Sequence, residues 1–203
     1  MNSSWVVPVM IGTTHDEFTV FLANQYEEQD FAPDEYPHLI GETFGADAPA
    51  VLSHYPLTGY DSVPLAYSAA LTDDVFACAS DRVADALARS QPVYAYEFND
   101  RNAPAPDSLR ELPFPVGAAH SLELRYLFDV GGAPALDTAQ RKLSDEMIRY
   151  WSQFVKTGSP GGDWPALHSG DAGGFMSLQP DGSRVINSFE RSHQCPFWAS
   201  LKK

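Results

Sequence analysis

The sequence predicts an α/β fold, and three observations carry that expectation. Two apolar runs of strand character, Trp5 to Ile11 and Val93 to Phe98, lie far apart, and between and after them apolar residues recur at helical spacings of three and four. Strand signals therefore alternate with helical ones, the pattern of a sheet covered by helices. A composition 44% hydrophobic and 12% aromatic over 203 residues is that of a packed chain rather than a disordered one.

Residues 5–11 form a nearly all-apolar run of the kind buried on both faces of a sheet, and Gly12 reads as its end. Thr13-Thr14-His15-Asp16-Glu17 then carries polar groups from the strand's carboxyl end into a short apolar segment, Phe18 to Leu22. Residues 34–56 predict two short amphipathic helices ending at Tyr55-Pro56. A longer helix is expected from Thr72 to Arg89, with Thr72 as N-cap, Asp73 and Asp74 at the positive end of the dipole and Arg89 at the far end. Its apolar stripe is Phe76, Ala79 or Ser80, Val83 and Leu87. Pro92 introduces the second strand, Val93 to Phe98, closed by Asn99-Asp100. Residues 101–119 hold Pro104, Pro106, Pro113 and Pro115 and are expected to be mostly loop. Long loops in compact domains are commonly functional, and this one delivers His120. From Thr138 to Thr157, Leu143, Met147, Trp151 and Phe154 or Val155 line one face of a long helix stopped by Gly158 and Pro160. Residues 174–189 predict a closing hairpin around Asp181-Gly182. The sequence has no internal repeat and no low-complexity segment.

Thirteen Lys and Arg against 27 Asp and Glu give a formal charge of −14, with no basic run, so nucleic acid and anionic membrane surfaces are not expected partners. No apolar run approaches the roughly 20 residues of a membrane span. The first residues lack the basic region of a secretory signal, and a strand-like run beginning so soon reads as the middle of a fold that needs neighbours. Cys78 and Cys195 are too few for a disulfide scaffold and too far apart for a zinc site, though they could form one bridge. His15, His38, His54, His168 and His193 show no metal-ligand spacing, and His120-x-x-Glu123 lacks the companions of a carboxylate-bridged metal site. Neither a metal nor an organic cofactor is expected.

In open α/β sheets, catalytic groups lie beyond the carboxyl ends of the strands, and Glu17 and His120 both qualify. A carboxylate and an imidazole at one sheet edge are two parts of a Ser-His-acid hydrolase. In α/β-hydrolases the acid precedes the histidine along the chain, as here. Taken singly, Asp16-Glu17 reads as a dipole-stabilising helix entry, and His120 equally as a loop histidine bonded to a carbonyl.

Three segments carry a resemblance to a known family: Val9-Met-Ile-Gly-Thr-Thr-His-Asp-Glu-Phe-Thr-Val-Phe21, Gly117-Ala-Ala-His-Ser-Leu-Glu-Leu-Arg-Tyr-Leu-Phe128 and Tyr150-Trp-Ser-Gln-Phe-Val-Lys-Thr-Gly-Ser-Pro160. They resemble, in order, the triad-glutamate segment, the histidine segment and the late helix of type-B carboxylesterases, the cholinesterase-like α/β-hydrolases. Tyr55-Pro56, Asp74-Val-Phe-Ala-Cys78, Tyr94-Ala-Tyr-Glu-Phe98 and Cys195-Pro-Phe-Trp198 agree collinearly. The resemblance implies that Glu17 is the triad acid and His120 the general base, with Asp16 a helix-entry residue and Glu123 buried polar support. Val20 and Phe21 fall where relatives place acyl- or leaving-group pocket side chains. Val20 stands where cholinesterases have an aromatic face for a quaternary ammonium, which makes a choline ester an unfavoured substrate. Phe18 replaces the glycine that usually follows the glutamate. Cys78 and Cys195 match positions bridged in secreted members, and a bridge favours secretion over a cytoplasmic setting.

None of the eighteen serines has glycine at both −2 and +2, so no Gly-x-Ser-x-Gly nucleophile elbow is encoded. The Gly-Gly pairs 131–132, 161–162 and 173–174 all follow the histidine, whereas the family's oxyanion loop precedes the acid. The expectation is therefore the C-terminal part of an α/β-hydrolase fold, a three-layer, mainly parallel sheet incomplete without its N-terminal portion. Its segments are the acid segment 5–25, a helical insertion 34–71, helix and strand 72–100, the histidine loop 101–128, the late helix 138–157, and hairpin and tail 174–203. The implied function is carboxylic ester hydrolysis of a small-molecule ester, in partnership with a missing N-terminal half carrying the serine. The alternative is a catalytically inactive fragment or a cholinesterase-like binding or adhesion module.

Overall fold

Four strands form one mixed sheet in the computed structural model, which describes residues 6–23, 25–26, 31–128, 130–170 and 174–201. β1 (Val9–Thr14) runs parallel to β2 (Val93–Phe98), β2 parallel to β3 (Phe175–Leu178), and β3 antiparallel to β4 (Arg184–Ile186), in the spatial order β1-β2-β3-β4. Between the strands lie α1 (Thr19–Ala23), α2 (Tyr36–Phe44), α3 (Ala48–His54), α4 (Val63–Leu71), α5 (Cys78–Ala88), α6 (Asp107–Arg110), α7 (Leu124–Leu127) and α8 (Thr138–Thr157). Two short helices, α9 (Phe189–Ser192) and α10 (Cys195–Leu201), follow β4.

Alternation along β2 distributes its side chains to two cores. Tyr94 and Phe98 join Leu143, Met147 and Tyr150 of α8, together with Ala118, Ala119 and Leu122 from the histidine loop. Val93 packs instead with Ala84, and Ala95 with Ala77, Phe175 and Phe189. The sheet is thus flanked by helices on both faces, an α/β arrangement. A further cluster unites α2, α3 and α4 with Cys78, Cys195 and Trp198, and the Cys78–Cys195 disulfide ties the start of α5 to the start of α10.

Two local expectations fail for identifiable reasons. Gly12 does not end the first strand. It sits inside β1 opposite Tyr96, whose ring lies 2.4 Å from where a Cβ would be, so glycine serves close approach of a neighbour rather than a turn. Trp5, the start of the expected run, lies outside the described residues. Thr72 caps no helix either, because α4 continues through a wider π-helical turn, Thr72–Ala77, directly into α5. With φ −56° and ψ −48° Thr72 is helical, and its hydroxyl accepts the N–H of Phe18 at 2.9 Å. By contrast, α8 starts at a capping box in which Asp137 accepts from the N–H groups of Ala139 and Gln140. It stops at left-handed Gly158, with φ 76°.

Candidate active site

The polar turn after β1 and the loop after β2 converge beyond the carboxyl ends of their strands. Glu17 is held first by its own turn: Oε1 accepts the N–H of Thr14 at 2.7 Å and the hydroxyl of Thr13 at 2.9 Å. That leaves Oε2 for Nδ1 of His120, 2.6 Å away. The carboxylate is buried while the imidazole is 45% exposed, so the second ring nitrogen lies on the open side.

Backbone and side-chain bonds fix this pairing. The N–H of Asp16 donates to the carbonyl of Ala118 at 3.0 Å, and the N–H of Ala118 returns to Asp16 Oδ2 at 2.9 Å. Both oxygens of Asp16 also take the Arg101 guanidinium, each at 2.9 Å, a bidentate clamp between the acid turn and the histidine loop. Thr19 donates to the carbonyl of Val116 at 2.6 Å. Gly117, with φ +64°, lies so close to Asp16 that a Cβ would sit 2.1 Å from Oδ2. Ser121, immediately after the histidine, also adopts a left-handed conformation, with φ 69°.

Aromatic rings wall one side of the imidazole. Phe21 and Phe76 lie 5.3 and 5.8 Å from the His120 ring, and Phe18 lies 5.2 Å from Phe21. Val20 turns the other way and packs against the core around Phe98 and Leu122. The backbone at Phe18 needs no glycine: among the described residues the left-handed non-glycines are Ser121 and Gln194. Phe76 could be found only as part of a helix stripe, since nothing local in the sequence links it to His120.

Glu123 is partly buried, its Oε2 has no hydrogen-bond partner, and burial, reinforced by the charge of Glu17, raises its pKa. A cavity of about 660 Å3, lined by residues of the 101–117 segment together with Asp137 and Gln140, includes neither Glu17 nor His120.

A second polar cluster went unsignalled by sequence spacing. His15, beside the acid turn, and His193, at the end of α9, both meet Glu97 of β2: Oε1 lies 2.7 Å from His15 Nδ1 and 2.8 Å from His193 Nε2. Asp73 takes the other nitrogen of His193 at 2.5 Å and the hydroxyl of Tyr55 at 2.7 Å. Burial alone would raise Glu97, but its bonds to the two imidazoles prevail and hold it at about 2.

A sequence model of the carboxylesterase family matches residues 1–198. Among curated proteins, human cocaine esterase is 27% identical over 63% of this chain and 23% of its own length. Dog carboxylesterase 5A (Canis lupus familiaris) is 31% identical over 53% of the chain and 20% of its own length. Acetylcholinesterase-1 of Trittame loki is 29% identical over 62% of the chain and 23% of its own length. The match thus spans about a fifth to a quarter of the length of these relatives. With a family match across nearly its whole length, and with an acid and a histidine meeting at the sheet edge, the chain belongs to the carboxylesterase family.

Proposed function

We propose that this chain supplies the acid and the general base of a Ser-His-Glu carboxylic ester hydrolase, as the C-terminal part of an α/β-hydrolase fold. The serine and oxyanion hole would come from polypeptide outside this sequence. The observation that carries the reading is the 2.6 Å contact between buried Glu17 and half-exposed His120. Glu17 holds the imidazole with Nδ1–H toward the carboxylate, which leaves Nε2 as the basic nitrogen facing outward. In the complete enzyme a serine hydroxyl attacks the ester carbonyl, His120 takes its proton and delivers it to the leaving alcohol, and water then hydrolyses the acyl-enzyme with His120 again as base. Glu17 stabilises the imidazolium at both steps. Asp16 acts through position, by binding Arg101 and Ala118, and Glu123 is polar support behind the pair.

Phe21, with Phe18 and Phe76, forms an apolar wall where the acyl or alcohol group would lie, and Val20 supports it from the core side. β1, bonded among the described residues only to β2, is where further parallel strands would add.

His120→Ala in the esterase containing this sequence tests the assignment. The expected result is a loss of about 10³–10⁴ in kcat with a folded protein; near-full activity overturns it. The isolated chain is expected to show no ester turnover above background, and a p-nitrophenol burst from it would contradict the division of labour proposed here.

A further inference from the structure

The His15, Glu97 and His193 cluster lies outside the Glu17–His120 pair, and none of its members has a role in the ester chemistry above. We propose that these three side chains form a binding site for a divalent transition-metal ion, Zn²⁺ in particular. One ligand atom from each, His15 Nδ1, a Glu97 carboxylate oxygen and His193 Nε2, falls within 4.8 Å of the others. Two imidazoles and a carboxylate are the donor set of three-ligand zinc sites that keep one position open.

The supports are rigid and independent. His15 directly follows β1, Glu97 is on β2 and His193 ends α9, so three separate elements converge on one point. His193 is further oriented by Asp73 at its other ring nitrogen, the carboxylate–histidine pairing that fixes the tautomer of metal-bound imidazoles. The charge balance also favours a cation. Glu97 and Asp73 have side chains only 2% and 7% exposed, and among the described residues neither forms an ion pair with Lys or Arg; their ion-pair partners are histidines, beside neutral donors from Asn99 and Tyr55. A divalent ion would take over the compensation of these two buried carboxylates from the imidazole proton that it displaces. Access exists as well: the His15 side chain is 27% exposed, and His15, Asp73 and His193 line a cavity of about 330 Å3 with room for water in the open coordination position.

In the metal-free geometry protons occupy these links, with Glu97 Oε1 at 2.7 and 2.8 Å from the two nitrogens. Zinc–ligand bonds of about 2.0–2.2 Å in a tetrahedron set the ligand atoms roughly 3.3–3.6 Å apart, so Glu97 Oε1 must draw back from each nitrogen by a little over half an ångström while the two imidazole nitrogens, within 4.8 Å of each other, close toward that spacing.

The test is calorimetric titration of the whole chain, dialysed free of metal, with ZnCl₂. One ion per chain is expected, and His15→Gln, which keeps a hydrogen-bonding group toward Glu97 but removes the imidazole, should weaken binding by about 100-fold or more. His38→Ala, at an exposed histidine paired with Glu42, should leave it unchanged. Co²⁺ in place of Zn²⁺ should give the visible bands of four-coordinate ligation, lost in His15→Gln. Absence of stoichiometric uptake overturns the proposal, as does uptake that His15→Gln leaves intact. Thermal melting of each variant identifies any that fails to fold, in which case the wild-type cobalt spectrum decides. None of these outcomes depends on esterase activity.

Discussion

Glu17 and His120 are legible in the sequence because each follows a strand by a polar segment, and strand ends are where an α/β sheet collects its chemistry. Their neighbours are not legible. Phe76 reaches the His120 ring from a π-helical segment, with Phe18 packed on Phe76 rather than on the imidazole, and His15 and His193 meet on Glu97 from distant parts of the sequence. Single-residue strain is equally silent in sequence: Ser121 holds φ 69° directly after the histidine. A left-handed non-glycine residue costs about 1–2 kcal/mol, so Ser121→Gly should raise stability by up to roughly 1 kcal/mol once glycine's extra unfolded-state entropy is subtracted. Chemical denaturation checks this, and an unchanged or lower midpoint would mean that the serine hydroxyl supplies an offsetting bond.

Among the elements, α8 was legible to its last residue because both ends carry local chemistry, Asp137 with Gln140 at the start and left-handed Gly158 at the end. The expected boundary at Thr72 is absent because a cap-forming residue type followed by two aspartates looks the same whether it starts a helix or lies within one. Tertiary demand decided there: Thr72 holds Phe18, and Asp73 holds His193 and Tyr55. On α5, burial pushes Asp81 up to about 6, with the negative charges of Glu190 and Asp85 adding to it and the positive charges of Arg82 and His193 opposing. Its folded pKa exceeds the ordinary 3.8, so the stability it contributes is fully present below about pH 4 and is lost as pH rises through 6. Asp81→Asn should therefore stabilise the protein by about 1 kcal/mol at pH 7, after allowance for partial exposure, and flatten the stability profile between pH 4 and 6. A parallel shift of wild type and variant across that range would refute the assignment. The disulfide acts on the unfolded chain: opening a loop of 117 residues should lower stability by about 2–4 kcal/mol. Denaturation with and without reductant measures it, and coincident curves would show that the bridge contributes nothing.

Across the whole molecule, the α/β class and the order of strands and helices follow from local periodicity, but strand adjacency does not. Nothing within β1 or β2 states that they pair in parallel, with Val9 opposite Val93. What the sheet leaves open is also visible only in three dimensions. Among the described residues β1 has one partner, and Val6 and Val7 beside it are 58% and 60% exposed. An edge of that kind is open to pairing with a further strand, which the proposed function requires. The decisive measurement is ester turnover after combining this chain with a polypeptide carrying the Gly-x-Ser-x-Gly portion of the same esterase. Activity is expected only when both are present, and it should disappear when the chain carries His120→Ala. Turnover that survives this substitution, or a stable complex of the two pieces that remains inert with His120 in place, would contradict the role assigned to Glu17 and His120.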